Sequence, residues 1–151
     1  MGKEIERKWL LRSVPEDLES YPHHVIEQGY LNTSPVVRIR RQDDTYILTY
    51  KGGGLMERVE YNLPLDRDSY EHLKEKVDGV LISKTRYVIP LENGLKIELD
   101  HFKNPHEGLY LAEIEFQSVE EAKAYAAPDW FGKDVTYDII YHNSVMSQTK
   151  P

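Results

Sequence analysis

The stretch KEIERKWL, residues 3–10, decides the fold because its charged and apolar side chains alternate. Glu4, Glu6 and Lys8 share one parity, whereas Ile5 and the tryptophan four positions later share the other. Successive side chains of a β-strand point to opposite faces of its sheet. The spacing therefore predicts a strand with one charged face and one mostly apolar face, and the question is which face points inward.

Similar alternation recurs along the chain and predicts eight strands joined by short turns. The turns are rich in Gly, Asn, Asp and Pro, which suits tight antiparallel connections. The sequence predicts a mainly β (α+β) fold, in which an eight-stranded antiparallel sheet is closed into a barrel or strongly curved. The strands are expected near residues 3–11, 24–32, 36–43, 45–51, 56–63, 82–90, 94–102 and 109–116.

Two helices are predicted to flank the strands. The first covers residues 67–77, with Asp66 as its cap and Gly79 at its end. The second starts at Ser118, which has a glutamate three positions later as in a capping box, and Pro128 stops it. The tail over residues 134–148 is predicted as a short helix or turn. Without a linker or a repeat, the whole of residues 1–151 is expected to form one domain.

Composition excludes several classes of site and partner. The chain of 151 residues has no cysteine, which excludes disulfides, zinc-thiolate sites and thiol catalysis. Its net charge of −7 argues against a nucleic-acid partner. A charged N-terminus and the lack of a long apolar run predict a cytoplasmic protein with no membrane partner. The six histidines show no metal-ligand spacing and are expected at the surface.

Periodicity alone favours the ordinary barrel, with apolar residues inside and charges in solvent. The distribution of charge by sign favours the reverse. Carboxylates pair on the first and last strands, whereas cations pair in RIR (38–40) and KTR (84–86), and like charges two positions apart on one face repel. The opposite face also carries more aromatic bulk, including Trp9 and Phe116, than a narrow eight-stranded interior readily holds. These details favour a charged, wet lumen and an apolar exterior that helices or a partner subunit cover.

The charged parity supplies two sets of side chains suited to a metal-bound polyphosphate. Guanidinium and ammonium groups bind phosphate oxygens, and clustered carboxylates without thiols suit Mg²⁺ or Mn²⁺. The expected cations are Lys8, Arg38, Arg40, Lys51, Arg58, Lys84 and Arg86. The expected carboxylates are Glu4, Glu6, Glu60, Glu98, Asp100, Glu113 and Glu115.

Several of these motifs together resemble the CYTH superfamily, also called the triphosphate tunnel metalloenzymes. EIERK (4–8) resembles its N-terminal ExExK signature, and the later motifs follow in family order over nearly the whole chain. The motifs are QGYL (28–31), VRIR (37–40), TYKG (49–52), RVEY (58–61), KTRY (84–87), IELD (97–100) and LAEIEF (111–116). The resemblance implies a tunnel in which the basic residues bind a linear triphosphate and the carboxylates hold divalent metal, so that the charged face points inward.

Within the superfamily the chain is most similar to the compact bacterial enzymes that hydrolyse inorganic triphosphate. This similarity implies a Mg²⁺- or Mn²⁺-dependent reaction giving pyrophosphate and phosphate, with nucleoside triphosphates as candidate slower substrates. Glu4, Lys8 and Glu113 are the candidate catalytic residues, Glu115 is a further candidate base, and a homodimer is a candidate assembly. The alternatives are a class IV adenylate cyclase, a thiamine triphosphatase and a non-enzymatic polyphosphate binder. One departure is Ile140, where relatives usually have arginine, and it predicts weaker substrate binding near the tunnel end.

Overall fold

In the part of the chain that the structure describes, nine strands form one antiparallel sheet that closes on itself. The structure, a computed structural model, describes residues 2–148, so the outermost ends of the expected domain, residue 1 and residues 149–151, lie outside the described residues. The strands are β1 (Gly2–Leu11), β2 (His23–Thr33), β3 (Val36–Gln42), β4 (Thr45–Lys51), β5 (Glu57–Leu65), β6 (Asp78–Pro90), β7 (Lys96–Asn104), β8 (Tyr110–Glu115) and β9 (Phe131–Asp134). The helices are α1 (Arg67–Lys74), α2 (Val119–Ala124) and α3 (Asn143–Met146).

The sheet order is β5-β4-β3-β2-β6-β7-β8-β1-β9, and pairing of β5 with β1 closes the first eight strands into a barrel. The predicted eight-stranded antiparallel barrel is therefore confirmed. β9 lies outside the barrel and pairs with the end of β1. Sequence periodicity did not predict β9 because its four residues, FGKD, are too short to show alternation.

The main apolar core lies outside the barrel rather than within it. Side chains on the apolar parity of β1, β6, β7 and β8 pack under α2 and the segments that flank it. Trp9 illustrates the arrangement, since its ring contacts Phe131 at 4.9 Å and Tyr125 at 5.9 Å between centroids. The buried residues of this cluster are Ile5, Trp9, Leu18, Tyr87, Ile89, Ile97, Leu99, Ala112, Ile114, Phe116, Ala122 and Phe131. Their burial outside the sheet leaves the charged parity facing the lumen.

A second apolar cluster occupies part of the lumen itself. Ile82, Phe102 and Leu111 have the same parity as the charged residues of their strands, yet they are fully buried. They pack with Tyr30, Val36, Val135 and Met146. Apolar side chains therefore occupy positions of the charged parity at this level of the barrel, where α3 and the chain before it close the packing, and the sequence analysis did not predict them.

The helices confirm the predicted starts, but both end earlier than predicted, and α2 ends at Ala124 rather than at Pro128. Asp66 accepts a hydrogen bond from the Ser69 amide at 2.7 Å and caps α1, and Ser118 accepts from the Glu121 amide at 3.0 Å and caps α2. The first helix ends at Lys74, not at Gly79 as expected. Gly79 lies in β6 with a φ of +71°, where a β-carbon would collide with the carbonyl oxygen of residue 147.

The chain after β9 is short and helical, as predicted. A 3₁₀ turn over Ile139–Tyr141 precedes α3, which contacts β2. In residues 2–148 no helix is both long and apolar enough to cross a membrane.

Candidate active site

The charged parity of the strands lines a cavity of about 380 Å³ inside the barrel. The charged face of β1 therefore points inward. All seven predicted cations reach the cavity wall: Lys8, Arg38, Arg40, Lys51, Arg58, Lys84 and Arg86. Six of the seven predicted carboxylates also line it: Glu4, Glu6, Glu60, Glu98, Glu113 and Glu115.

Two arginines of β3, Arg38 and Arg40, face the cavity, and neither has an ionic partner among the described residues. Arg38 is 6% exposed, donates from Nη2 to the Thr49 hydroxyl at 3.0 Å, and has a buried Nε without a hydrogen-bond acceptor. Arg40 donates from Nε to the amide oxygen of Gln28 at 2.8 Å. Within residues 2–148, neither arginine has a carboxylate oxygen inside 4.0 Å. Burial, together with the charges of Arg38 and Arg86, lowers the pKa of Arg40 to about 9, so this group carries an uncompensated positive charge at neutral pH.

The cations of β4 and β5 are paired with carboxylates. Lys51 Nζ lies 2.9 Å from Glu4 and 3.7 Å from Glu60. Arg58 Nη2 lies 3.6 Å from Glu4 and 3.9 Å from Glu6. Burial would raise the pKa of Glu4, but Lys51 and Arg58 outweigh it and lower that pKa. Glu4 is therefore held ionised at the seam where β1 meets β5.

Lys84 and Arg86 on β6 share a buried carboxylate on β7. Asp100 lies 2.8 Å from Lys84 Nζ, and Arg86 donates to its two oxygens at 2.7 and 2.9 Å. Asp100 is fully buried and does not line the cavity, so the structure does not bring it together with the other predicted metal ligands. Two cations already use both its oxygens, which suits a residue that braces β6.

Carboxylates concentrate on the opposite wall, formed by β7, β8 and β1. Glu6 is directly opposite Glu115 in the β1–β8 ladder, and Glu113 is opposite Lys8 on one side and Glu98 on the other. Such same-sign neighbours repel unless a cation lies between them.

The pKa values of the glutamates on this wall are shifted in opposite directions, depending on the charges nearby. Burial and the neighbouring Glu113 and Glu4 raise the pKa of Glu6 well above its ordinary value. Burial and the glutamates at positions 4, 60 and 98 raise the pKa of Glu115 to about 7. Burial alone would raise the pKa of Glu113, but Lys8 and Arg86 hold it well below the usual range. Glu113 therefore stays ionised beside its cations, whereas Glu6 and Glu115 ionise less readily than free carboxyl groups do.

The chain before α3 forms part of the cavity wall. Lys8 Nζ donates to the carbonyl oxygen of Tyr141 at 2.9 Å, and Asn143 Oδ1 accepts from Lys84 Nζ at 3.0 Å. His142 is 7% exposed and lines the cavity, so the expectation that all histidines lie at the surface is wrong. Its Nε2 donates to the carbonyl oxygen of Thr136 at 2.9 Å, and burial and Lys8 lower its pKa. Ile140, by contrast, is 58% exposed and points away from the cavity.

Comparison with known proteins gives concordant matches over nearly the whole chain. The family model described as CYTH domain matches residues 2–138. The chain is 38% identical to an inorganic triphosphatase of Nitrosomonas europaea, over 98% of this chain and 99% of the relative. It is 35% identical to an inorganic triphosphatase of Acetivibrio thermocellus, over 95% and 92%. A crystal structure of an inorganic triphosphatase, 34% identical, superposes with a TM-score of 0.73 over 100% of this chain and 98% of that one.

The chain belongs to the CYTH family. Membership confirms the resemblance inferred from EIERK and the spaced motifs that follow it. CYTH triphosphate tunnel enzymes generally depend on a divalent metal. In this CYTH chain the predicted site residues other than Asp100 converge on one cavity, with most of the cations on β3, β4, β5 and β6 and most of the carboxylates on β7, β8 and β1.

The donor set of this CYTH cavity fits a hard divalent cation. The carboxylate wall offers oxygen ligands only, and oxygen is the donor that Mg²⁺ and Mn²⁺ prefer. Glu6 and Glu115 have raised pKa values, as expected for carboxylates that lack enough positive charge nearby. Among residues 2–148, no three His, Asp or Glu side chains are already grouped as a metal site.

Several residues in and behind the cavity wall were not among the predicted site residues. Asn62 lines the cavity and has the parity of Arg58, and Thr49 lies buried beside Arg38 with the parity of Lys51, but neither carries the charge that singled out the candidates. His142, Asn143 and Ser144 lie after the last barrel strand, where no period of two exists to assign a face. Only the packing of α3 against the barrel reveals them.

Proposed function

We propose that this CYTH protein is a divalent-metal-dependent inorganic triphosphatase, which hydrolyses tripolyphosphate to pyrophosphate and phosphate. The observation that carries the proposal is the pair of unpaired arginines, Arg38 and Arg40, which face a carboxylate wall across one cavity. A linear polyphosphate bound to Mg²⁺ or Mn²⁺ supplies the anion that the arginines lack and the cation that the carboxylates lack. The names of the two full-length relatives support the same substrate.

The cations bind and align the phosphate chain in this proposal. Guanidinium groups can donate two parallel hydrogen bonds to phosphate oxygens, which fixes orientation as well as charge. The proposed substrate-binding residues are Lys8, Arg38, Arg40, Lys51, Arg58, Lys84 and Arg86. Six of them lie on β3 to β6 and orient the terminal phosphorus towards the carboxylate wall, where Lys8 on β1 also reaches it. The enclosing barrel limits access of bulk water to the reacting group.

The carboxylates hold the metal in this proposal, through Glu4, Glu6, Glu60, Glu98, Glu113 and Glu115; Asp100 is left out because its oxygens are already bound. A divalent ion supplies charge neutralisation for the phosphate oxygens and activation of water when it is bound. Glu4 and Glu113 stay ionised beside cations, and Lys8 bridges Glu113 and the carbonyl oxygen of Tyr141. We assign Glu4, Lys8 and Glu113 as the residues that contact the reacting groups.

We further propose one tunnel domain, slower hydrolysis of nucleoside triphosphates and assembly as a homodimer. Apolar side chains on the outer face of β4 and β5 support the dimer, because Tyr50, Val59, Tyr61 and Leu63 remain 38–58% exposed. Sedimentation of the wild type and of Leu63→Glu tests it: a dimer that the charge disrupts is expected, and a monomeric wild type contradicts it.

The test of the activity is a product assay on the purified protein. Tripolyphosphate, ATP and thiamine triphosphate are incubated separately with Mg²⁺, with Mn²⁺ or with excess EDTA, and the products are identified. Tripolyphosphate is expected to give pyrophosphate and phosphate fastest, and only with metal. Formation of cyclic AMP from ATP would identify a cyclase, and fastest turnover of thiamine triphosphate would identify a thiamine triphosphatase. Binding of tripolyphosphate without turnover would identify a polyphosphate binder. Full activity in EDTA would contradict metal dependence.

Carboxylate variants test the metal site in the same assay. Glu6→Gln and Glu115→Gln retain side-chain size but lose the charge that binds the ion, so both are expected to lose most turnover. Glu120→Gln is the matched control, because Glu120 is exposed on α2 outside the barrel. Wild-type turnover in both cavity variants would contradict the proposed ligand set.

A further inference from the structure

The cavity cations are held in two chemically different ways. Lys51, Arg58, Lys84 and Arg86 each have a carboxylate oxygen within 4.0 Å. Arg38 and Arg40 on β3 are instead held by a hydroxyl and an amide, respectively, which carry no charge. We propose that Gln28 and the Thr49–Asn62 pair are positioning residues that orient Arg38 and Arg40 without neutralising them, so that their charge stays available to the substrate. This inference rests on the proposed triphosphatase function.

Gln28 is suited to hold Arg40 because the oxygen and the nitrogen of its side-chain amide both make hydrogen bonds. The side chain is fully buried, and its oxygen accepts from Arg40 Nε at 2.8 Å while its nitrogen donates to Asn143 Oδ1 at 3.0 Å. Asn143 Oδ1 also accepts from Lys84 Nζ at 3.0 Å. Because Lys84 can only donate, the Asn143 atom must be an oxygen, and Gln28 must then present its nitrogen to Asn143 and its oxygen to Arg40.

A similar chain orients Arg38. The Thr49 hydroxyl donates its only proton to Asn62 Oδ1 at 2.6 Å, which leaves its lone pairs to accept from Arg38 Nη2 at 3.0 Å. Thr49 is directly opposite Arg38 in the β3–β4 ladder and opposite Asn62 in the β4–β5 ladder. Three neighbouring strands therefore fix the guanidinium in place through one row of cross-strand partners.

Neutral acceptors have opposite effects on the free and the bound protein. A buried guanidinium without an anion is costly, and the lowered pKa of Arg40 reflects that cost. A carboxylate in place of the amide would stabilise the free protein, but it would compete with the phosphate oxygens and repel them. The arrangement thus lowers stability without ligand and raises affinity for a polyanion, a trade-off that a purely structural role does not produce.

Charge-introducing, nearly isosteric variants measure this trade-off. Gln28→Glu and Asn62→Asp place a carboxylate beside the β3 arginines, and Asn62 is exposed at the cavity, so that variant tolerates the change even if the buried one misfolds. Without ligand, we expect each folded variant to have a higher melting temperature than the wild type. In calorimetry with EDTA present, its affinity for tripolyphosphate should be lower than that of the wild type by about tenfold or more. Gln28→Leu, which removes the acceptor without adding charge, should lower both the melting temperature and the affinity.

Gln117→Glu is the control, since it adds the same charge at an exposed position outside the barrel and should change neither quantity. A wild type that fails to bind tripolyphosphate with or without metal overturns the proposed function and this inference with it. If the wild type binds and Asn62→Asp binds equally well, only the inference is overturned. Parallel loss of stability and affinity in the charged variants also overturns it, because that result indicates a packing role alone.

Discussion

At the scale of the residue, substitutions of Arg40 measure how much its unpaired charge destabilises the free protein and how much that charge contributes to ligand binding. Arg40→Ala should raise the ligand-free melting temperature by removing repulsion from Arg38, and it should reduce the rise in melting temperature that tripolyphosphate produces. Arg40→Lys should recover part of the ligand response, because ammonium restores charge but not the two-point contact. Arg41→Ala is the matched control, since Arg41 has the opposite parity and lies over the Tyr46 ring. Thermal melts with and without ligand check these outcomes.

Glu115 should make the affinity of the cavity for a divalent metal depend on pH. Its pKa of about 7 means that the carboxyl group is protonated below that pH and becomes an anionic ligand above it. Affinity for Mn²⁺ should therefore rise between about pH 6 and about pH 8, and Glu115→Gln should flatten that rise. In the ligand-free protein the sign is reversed: the raised pKa makes ionisation unfavourable, so stability falls as the pH rises from the ordinary glutamate value through about 7. Calorimetric titration with Mn²⁺ at several pH values measures the first effect, and an affinity independent of pH would contradict it.

At the scale of the element, the stability of α1 depends on its N-cap residue, because the helix is short. It has eight residues, too few for a helix to be stable alone, and Asp66 satisfies the Ser69 amide at its start. Asp66→Ala should lower the free energy of unfolding by about 1 kcal/mol, whereas Asp68→Ala, in the same turn but not capping, should have a smaller effect. Denaturant titration measures both. Equal losses would show that charge near the helix start, not the cap, is responsible.

The strands show where sequence patterns are informative and where they are not. A period of two identified the eight barrel strands and placed the charged face, since long alternating segments are unambiguous. Alternation gives the face of a side chain but not its height along the lumen, so it did not distinguish Asp100, held between two cations, from Glu98 at the cavity wall. Alternation also did not predict the apolar cluster inside the barrel around Phe102. β9 and His142 lie in short segments whose positions depend on packing alone.

At the scale of the whole molecule, the cavity should distinguish anions by the number of phosphates. Tripolyphosphate can contact cations on several strands at once, whereas pyrophosphate and monophosphate reach fewer of them. We expect a large rise in melting temperature with tripolyphosphate, a smaller one with pyrophosphate and almost none with monophosphate at equal concentration. Equal shifts for all three anions would indicate non-specific screening by salt, and the binding proposal would then fail.

The pairing of β1 with β5 and β8 has a consequence for how the protein reaches its native state. The chain's first strand pairs with β5 over Glu57–Glu60 and with β8 over Leu111–Glu115, so completing the barrel requires contacts between segments that are distant in the sequence, about a hundred residues apart for β1 and β8. Contacts of such high sequence separation form late and slow folding, because the entropy of loop closure precedes any gain. Glu4, Glu6 and Lys8 belong to that strand, and the ribosome must release residue 115 before they can meet Glu113. Ligands that need the assembled cavity should therefore slow unfolding and leave the rate of folding nearly unchanged.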